Sequence, residues 1–106
     1  MPFLELSVVW MDDSQMSHAN WQFLRHKGPT DIITFDYGNR CAELLISLDT
    51  AARQAIEHDQ TFEQELTLYL AHGMLHLAGF GDKTSSQRRR MRKEEQCLIQ
   101  KFKAND

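Results

Sequence analysis

The sequence predicts an α+β fold: a single domain over residues 1–106, with a small mixed β-sheet, helices packed around it and a central helix that bears two histidines. Three observations lead there. Short β-rich apolar runs at residues 3–10, 32–35 and 43–47 are separated by stretches of helical periodicity. The segment around His72 is apolar on almost every side in its second half, the mark of a buried helix. A chain of 106 residues with 42% hydrophobic and 25% charged content can bury one core without disulfides or other staples.

The first strand places Leu4, Leu6 and Val8 on one face. Asp12, Asp13 and Ser14 offer N-caps for a helix through Phe23, with Met16, Ala19 or Asn20, and Phe23 facing inward. Residues 26–30 read as a loop, and residues 36–40 turn the second strand tightly into the third. Leu44, Leu45 and Ile46 form a continuous apolar run, as expected of a sheet covered on both faces. Asp49 can cap a helix whose inward residues are Ala52, Ala55 and Ile56. Thr61 with Gln64 is a capping box for the central helix, roughly residues 62–78. Residues 84–86 start a last helix, with Met91, Leu98 and Phe102 at helical spacing and a tail at 103–106 that frays.

Cys41 and Cys97 lack metal-ligand spacing and are expected to be reduced structural thiols. No apolar run approaches the ~20 residues that span a bilayer. The first residues also lack the basic start of a secretory signal, so the expected location is the cytoplasm, without membrane contact. A net charge of −3 argues against binding nucleic acid by bulk charge. The basic residues are nevertheless clustered, with Arg88, Arg89, Arg90, Arg92 and Lys93 following the histidine segment. Such a run is either a solvated helix face or a phosphate-contacting patch, of which helical geometry allows only part to touch one backbone.

His72 and His76 stand four residues apart, so a helix returns both to one face. Gly79 should stop the helix, Gly81 should supply an unusual backbone angle, and Asp82 can then turn back toward the histidines. This H-x3-H-x5-D pattern offers three ligands to one divalent metal, with zinc favoured by the imidazole nitrogens, and leaves a position open for water. The competing readings are two core histidines bonded to carbonyls, and an aspartate that caps the next helix. A metal with an open position acidifies bound water and polarises a phosphoryl oxygen. Beyond that water the sequence assigns no catalytic group. Glu65 is weighed as a general base, a buried salt partner or a surface residue, and His58 could approach from the preceding loop. Gly73 occupies the place of the glutamate in H-E-x-x-H zinc proteases, which disfavours peptide hydrolysis by that mechanism.

The run His72-Gly-Met-Leu-His76-Leu-Ala-Gly79-Phe80 resembles the H-G-x-L-H-L-x-G-[YF] signature of the YbeY metal-dependent endoribonucleases. Asn20, Arg25 and Pro29-Thr-Asp-Ile-Ile-Thr-Phe35 look like the N-x-x-Y-R…P-T-D-V-L-S-F segment of that family. The resemblance runs from about Ser7 to Leu98. It implies a metal-dependent single-strand endoribonuclease acting in ribosomal RNA processing and ribosome maturation, with RNA and ribosomal subunits as partners. Asp82 stands where the family carries a third histidine, and Leu48 where it carries an arginine. The second departure keeps open an alternative, a metal-stabilised ribosome-assembly or RNA-binding factor with little turnover. Arg25, Arg88 and Arg89 are the residues expected to contact RNA.

Overall fold

Three strands, β1 (Glu5–Met11), β2 (Ile32–Gly38) and β3 (Cys41–Ser47), form a sheet in the order β1-β3-β2, in which β3 runs parallel to β1 and antiparallel to β2. These assignments come from a computed structural model that describes residues 5–104. Phe3 and Leu4 of the expected first strand, and Asn105 and Asp106 of the expected frayed tail, lie outside the described residues. β3 holds the centre because its apolar run serves both faces. Leu44 and Ile46, both fully buried, face one side, and Leu45, two-residue periodicity dictating, faces the other. Full burial of a side chain such as Leu44 contributes about 1.5–3 kcal/mol. The tight turn is present: Asn39 and Arg40 both take positive φ (51° and 62°), the conformation that joins two antiparallel strands with least splay.

Helix α1 (Asp13–Ala19) covers the Leu45 face, packing Met16 and Ala19 against Ile33. Its cap is a full capping box between Asp12 and Gln15. The chain then widens into a π-helical turn, Asn20–Leu24. That extra residue per turn rotates Phe23 outward, so it is 53% exposed rather than on the inner face as the spacing had predicted.

Helices α2 (Leu48–Glu57) and α3 (Phe62–Leu77) cover the Leu44 and Ile46 face. The cap of α2 is Ser47, whose hydroxyl accepts from the Thr50 N–H at 3.0 Å, and not Asp49. Asp49 instead accepts from the Asp13 N–H at 2.8 Å and ties the start of α1 to α2. With that frame Ala51 and Ala55 point inward, while Ala52 is exposed and Ile56 is 83% exposed, correcting two of the three expected core positions. The expected Thr61–Gln64 capping box is present on α3. Gly73 is where α3 lies closest to the sheet: a Cβ there would sit 2.5 Å from Ile32 Cδ1 and 3.1 Å from Leu44 Cδ2. Helix α4 (Ser85–Ala104) packs on α3 through buried Met91 and Glu95. No helix among the described residues is long and apolar enough to cross a membrane.

Candidate metal centre

The last turns of α3 present His72 and His76 with their Nε2 atoms 3.0 Å apart. Asp82, from the loop after the helix, brings one carboxylate oxygen to 3.2 Å from His76 Nε2 and 3.5 Å from His72 Nε2. A tetrahedral ion with bonds of about 2.0–2.1 Å sets its ligand atoms roughly 3.3–3.4 Å apart. The three donors therefore already enclose a position of the right size, and they are a group that could hold a metal ion. On the far side, His72 Nδ1 is hydrogen-bonded to the Glu95 carboxylate of α4. That bond holds the imidazole above its ordinary pKa in the free protein, against the opposing effect of burial. It also fixes the ring: with Nδ1–H donating to Glu95, the Nε2 lone pair points at His76 and Asp82. Glu95→Gln should keep the fold and weaken divalent-metal affinity about 10- to 100-fold in a competition titration. Parent-like affinity would show that this carboxylate does not orient the ligand.

The loop that carries Asp82 is held at both ends. Gly79 (φ 102°) ends α3 with paired closing bonds, Phe80 N–H to the Leu75 carbonyl and Gly79 N–H to the His76 carbonyl, both at 3.0 Å. Gly81 has no positive φ, contrary to expectation. It is small for a different reason: a Cβ would stand 3.1 Å from the Gln87 carboxamide. Gln87 Oε1 accepts from the backbone N–H groups of Lys83 and Thr84 at 3.0 and 3.1 Å, and the Thr84 hydroxyl accepts from the Gln87 N–H in return. Thr84 thus caps α4. The Asp82 carboxylate is left free to face the histidines, and the reading of Asp82 as a cap does not hold.

The basic run divides. Arg88 donates to the Lys83 carbonyl at 3.0 Å, and the Arg90 guanidinium lies over the Phe80 ring at 5.2 Å, so both brace the loop. Arg89 is exposed, its guanidinium 3.5 Å from the Ser86 hydroxyl. Arg25 ends the π-helical turn in the left-handed conformation (φ 58°) and lies over the Trp21 ring at 5.7 Å. The three donors open onto a cleft of about 510 Å³ walled by Leu24, Asp31, Ile32, Ile33 and Thr34. A second cavity of about 390 Å³ lies on the other side of His72, lined by Asp31, His58, Tyr69 and Glu95 among others. Glu65 is fully buried and paired with His58 Nδ1 at 2.7 Å, away from the cleft lining. It is the buried salt partner and not a general base. Glu95 went unnoticed in the sequence, although Met91, Glu95, Leu98 and Phe102 follow one helical stripe and a carboxylate in such a stripe needs an explanation.

A histidine pair on a helix, a loop carboxylate beside it and a buried carboxylate behind the first ring define an α+β protein with a candidate metal centre at the mouth of a cleft. The model of the endoribonuclease YbeY family matches residues 1–103, and the chain belongs to that family. The endoribonuclease YbeY of Phocaeicola vulgatus is 39% identical over 94 residues, covering 86% of this chain and 68% of its own length. That of Porphyromonas gingivalis is 41% identical over 99 residues, covering 90% of this chain and 66% of its own. The chain therefore spans about two thirds of the length of these relatives. The solution structure of TM1509 from Thermotoga maritima superposes with a TM-score of 0.62 at 28% identity, covering 94% of this chain and 71% of that one.

Proposed function

We propose that the chain is a metal-dependent endoribonuclease that cuts single-stranded RNA, folded as one domain over residues 1–106 and acting in the cytoplasm on ribosomal RNA. Processing of that RNA and maturation of the ribosome would make ribosomal subunits its natural partners. The observation that carries the reading is the convergence of His72, His76 and Asp82 at tetrahedral spacing on an open cleft, in a chain of the endoribonuclease YbeY family. Zinc fits this donor set best, because two imidazole nitrogens favour it over magnesium or calcium, which take oxygen. When bound, the ion supplies Lewis acidity for water and for a phosphoryl oxygen.

The chain's own residues do the rest. Glu95 holds the His72 ring in the tautomer that offers Nε2 to the site. Leu24, Ile32 and Ile33 line one side of the cleft with apolar surface, and Asp31 adds a second carboxylate beside Asp82. Arg88 and Gln87 keep the Asp82 loop from drifting. Asp82 supplies one negative charge to a pair of neutral ligands, and this should make the centre less Lewis-acidic than one with three histidines.

The test is cleavage of an end-labelled single-stranded RNA by the metal-loaded protein. Asp82→Ala should lose metal at least about 100-fold more readily, beyond the loss expected for an outer-sphere residue, and lose cleavage with it. Asp82→His should retain the ion and move the pH optimum of cleavage downward. If Asp82→Ala binds zinc as tightly as the parent, the carboxylate is not a ligand.

A further inference from the structure

We infer that the π-helical turn and the adjoining stretch of β2 form a stacking track for the bases of a single-stranded RNA that leaves the metal cleft. The inference rests on the ribonuclease reading for its substrate, and on separate residues for its evidence. Trp21, Phe23 and Tyr37 are 49%, 53% and 63% exposed. Isolated apolar residues on a surface are ordinary, but Phe23 and Tyr37 belong to one assembly with Phe35, while Trp21 stands beside it under the Arg25 guanidinium. The Phe23 ring meets Phe35 edge-on at 5.1 Å, and Phe35 lies nearly parallel to Tyr37 at 6.1 Å. Tyr37 is held in place by its hydroxyl, which donates to Glu43 at 2.8 Å. Rings fixed in this way lose little freedom when a base settles on them.

The track is continuous with the cleft. Leu24, next to Phe23, is 47% exposed and forms part of the wall around His72, His76 and Asp82. Ile33 belongs to the same wall and shares a face of β2 with Phe35 and Tyr37, which lies four residues further along the extended strand, about 13 Å away. Among the described residues β2 is an edge strand paired only with β3, so no described strand covers its outer side. Charge favours a polyanion at the π-helical end of the track, although the chain carries −3 overall. Residues 14–30 contain no acidic residue and Arg25, His26 and Lys27 are all exposed, whereas Asp31, Asp36 and Glu43 place carboxylates along the β2 end. Cations beside exposed rings are the recurrent makeup of single-strand binding surfaces, because every base has a π-face and every linkage a charge. A duplex keeps its bases stacked inward and cannot use such rings.

The experiment is an anisotropy titration of the metal-loaded 106-residue chain with a labelled single-stranded RNA, with an abasic strand of equal charge and with a duplex. Cleavage is followed in the same samples. Phe23→Leu and Tyr37→Leu should each weaken binding of the base-bearing strand about 5- to 100-fold. Phe23→Tyr should bind like the parent, and metal content should not change in any of the three. The abasic strand and the duplex should bind parent and variants alike. Tyr37 is the most exposed of the rings, so Tyr37→Leu keeps the test sound if Phe23→Leu lowers the melting temperature. Parent-like affinity of both leucine variants for the base-bearing strand overturns the track, as does equal weakening toward the abasic strand. A parent that dimerises through these rings, and loses the dimer in Tyr37→Leu, overturns it in favour of a protein contact. Absence of cleavage by the parent overturns the ribonuclease reading alone, since base-dependent binding that is lost in the variants still supports the track.

Discussion

His76→Ala is expected to strip the divalent ion from the purified protein and to take RNA cleavage down to background. His76 is the middle donor of the cluster, 3.0 Å from His72 and 3.2 Å from Asp82. Without it the remaining pair stands 3.5 Å apart with no third atom to close the site. Affinity should fall by at least about 1,000-fold, on the order of 4 kcal/mol. The apolar clusters on the two faces of the sheet involve neither His72 nor His76, so the variant should stay folded. It should melt where the chelated parent melts, below the metal-loaded parent, because an ion that binds only the native state stabilises by about 2.7 kcal/mol at a hundredfold excess over its Kd. Elemental analysis and calorimetry on the same sample check both halves. Full metal retention would refute the three-donor centre.

Gly73→Glu is expected to be severely destabilising. It would install the glutamate that follows the first histidine in H-E-x-x-H proteases, yet on this helix residue 73 faces the sheet and not the cleft. Its Cβ would already sit 2.5 Å from Ile32 Cδ1 and 3.1 Å from fully buried Leu44. A carboxyl group beyond that Cβ would have to displace both or remain unpaired among them. The combined overpacking and desolvation should cost more than about 4 kcal/mol, a large part of the 5–15 kcal/mol that separates folded from unfolded domains. Gly73→Ala should be far milder: an overpacking cost of about 1–3 kcal/mol is partly offset by the ~1 kcal/mol helix preference of alanine over glycine. Thermal unfolding measures both. A Gly73→Glu protein as stable as the parent would mean that α3 does not present this residue to the sheet.

What could be read from the sequence was governed by local chemistry. The Thr61–Gln64 capping box, the apolar run of β3, the Gly79 stop and the His72–His76 pair depend on spacings within a few residues, and each appears where expected. The departures involve choices that neighbours in space decide. Ser47 and Asp49 are both competent caps, and Asp49 lost the role because α1 supplies it with a different donor. A π-helical turn leaves no mark in a hydrophobic pattern, so Phe23 appeared to belong inside. Gly81 seemed to need freedom of its backbone, when the constraint comes from Gln87 on the next helix. Glu65 shares a face with His72, which left a base, a buried salt partner and a surface role all open; the bond from His58, a contact in space, decides for the salt partner.

The bond from Glu95 to His72 joins two helices through the candidate centre, and this makes α4 a party to what happens there. An ion that needs His72 in the orientation Glu95 selects should favour the docked form of α4, and by thermodynamic reciprocity docking of α4 should then favour occupancy by the same factor. Local opening of the C-terminal helix and release of the ion become one event seen from two ends. Amide exchange along α4 should consequently slow on metal loading, while in Glu95→Gln the two should decouple; equal exchange with and without metal would deny the linkage.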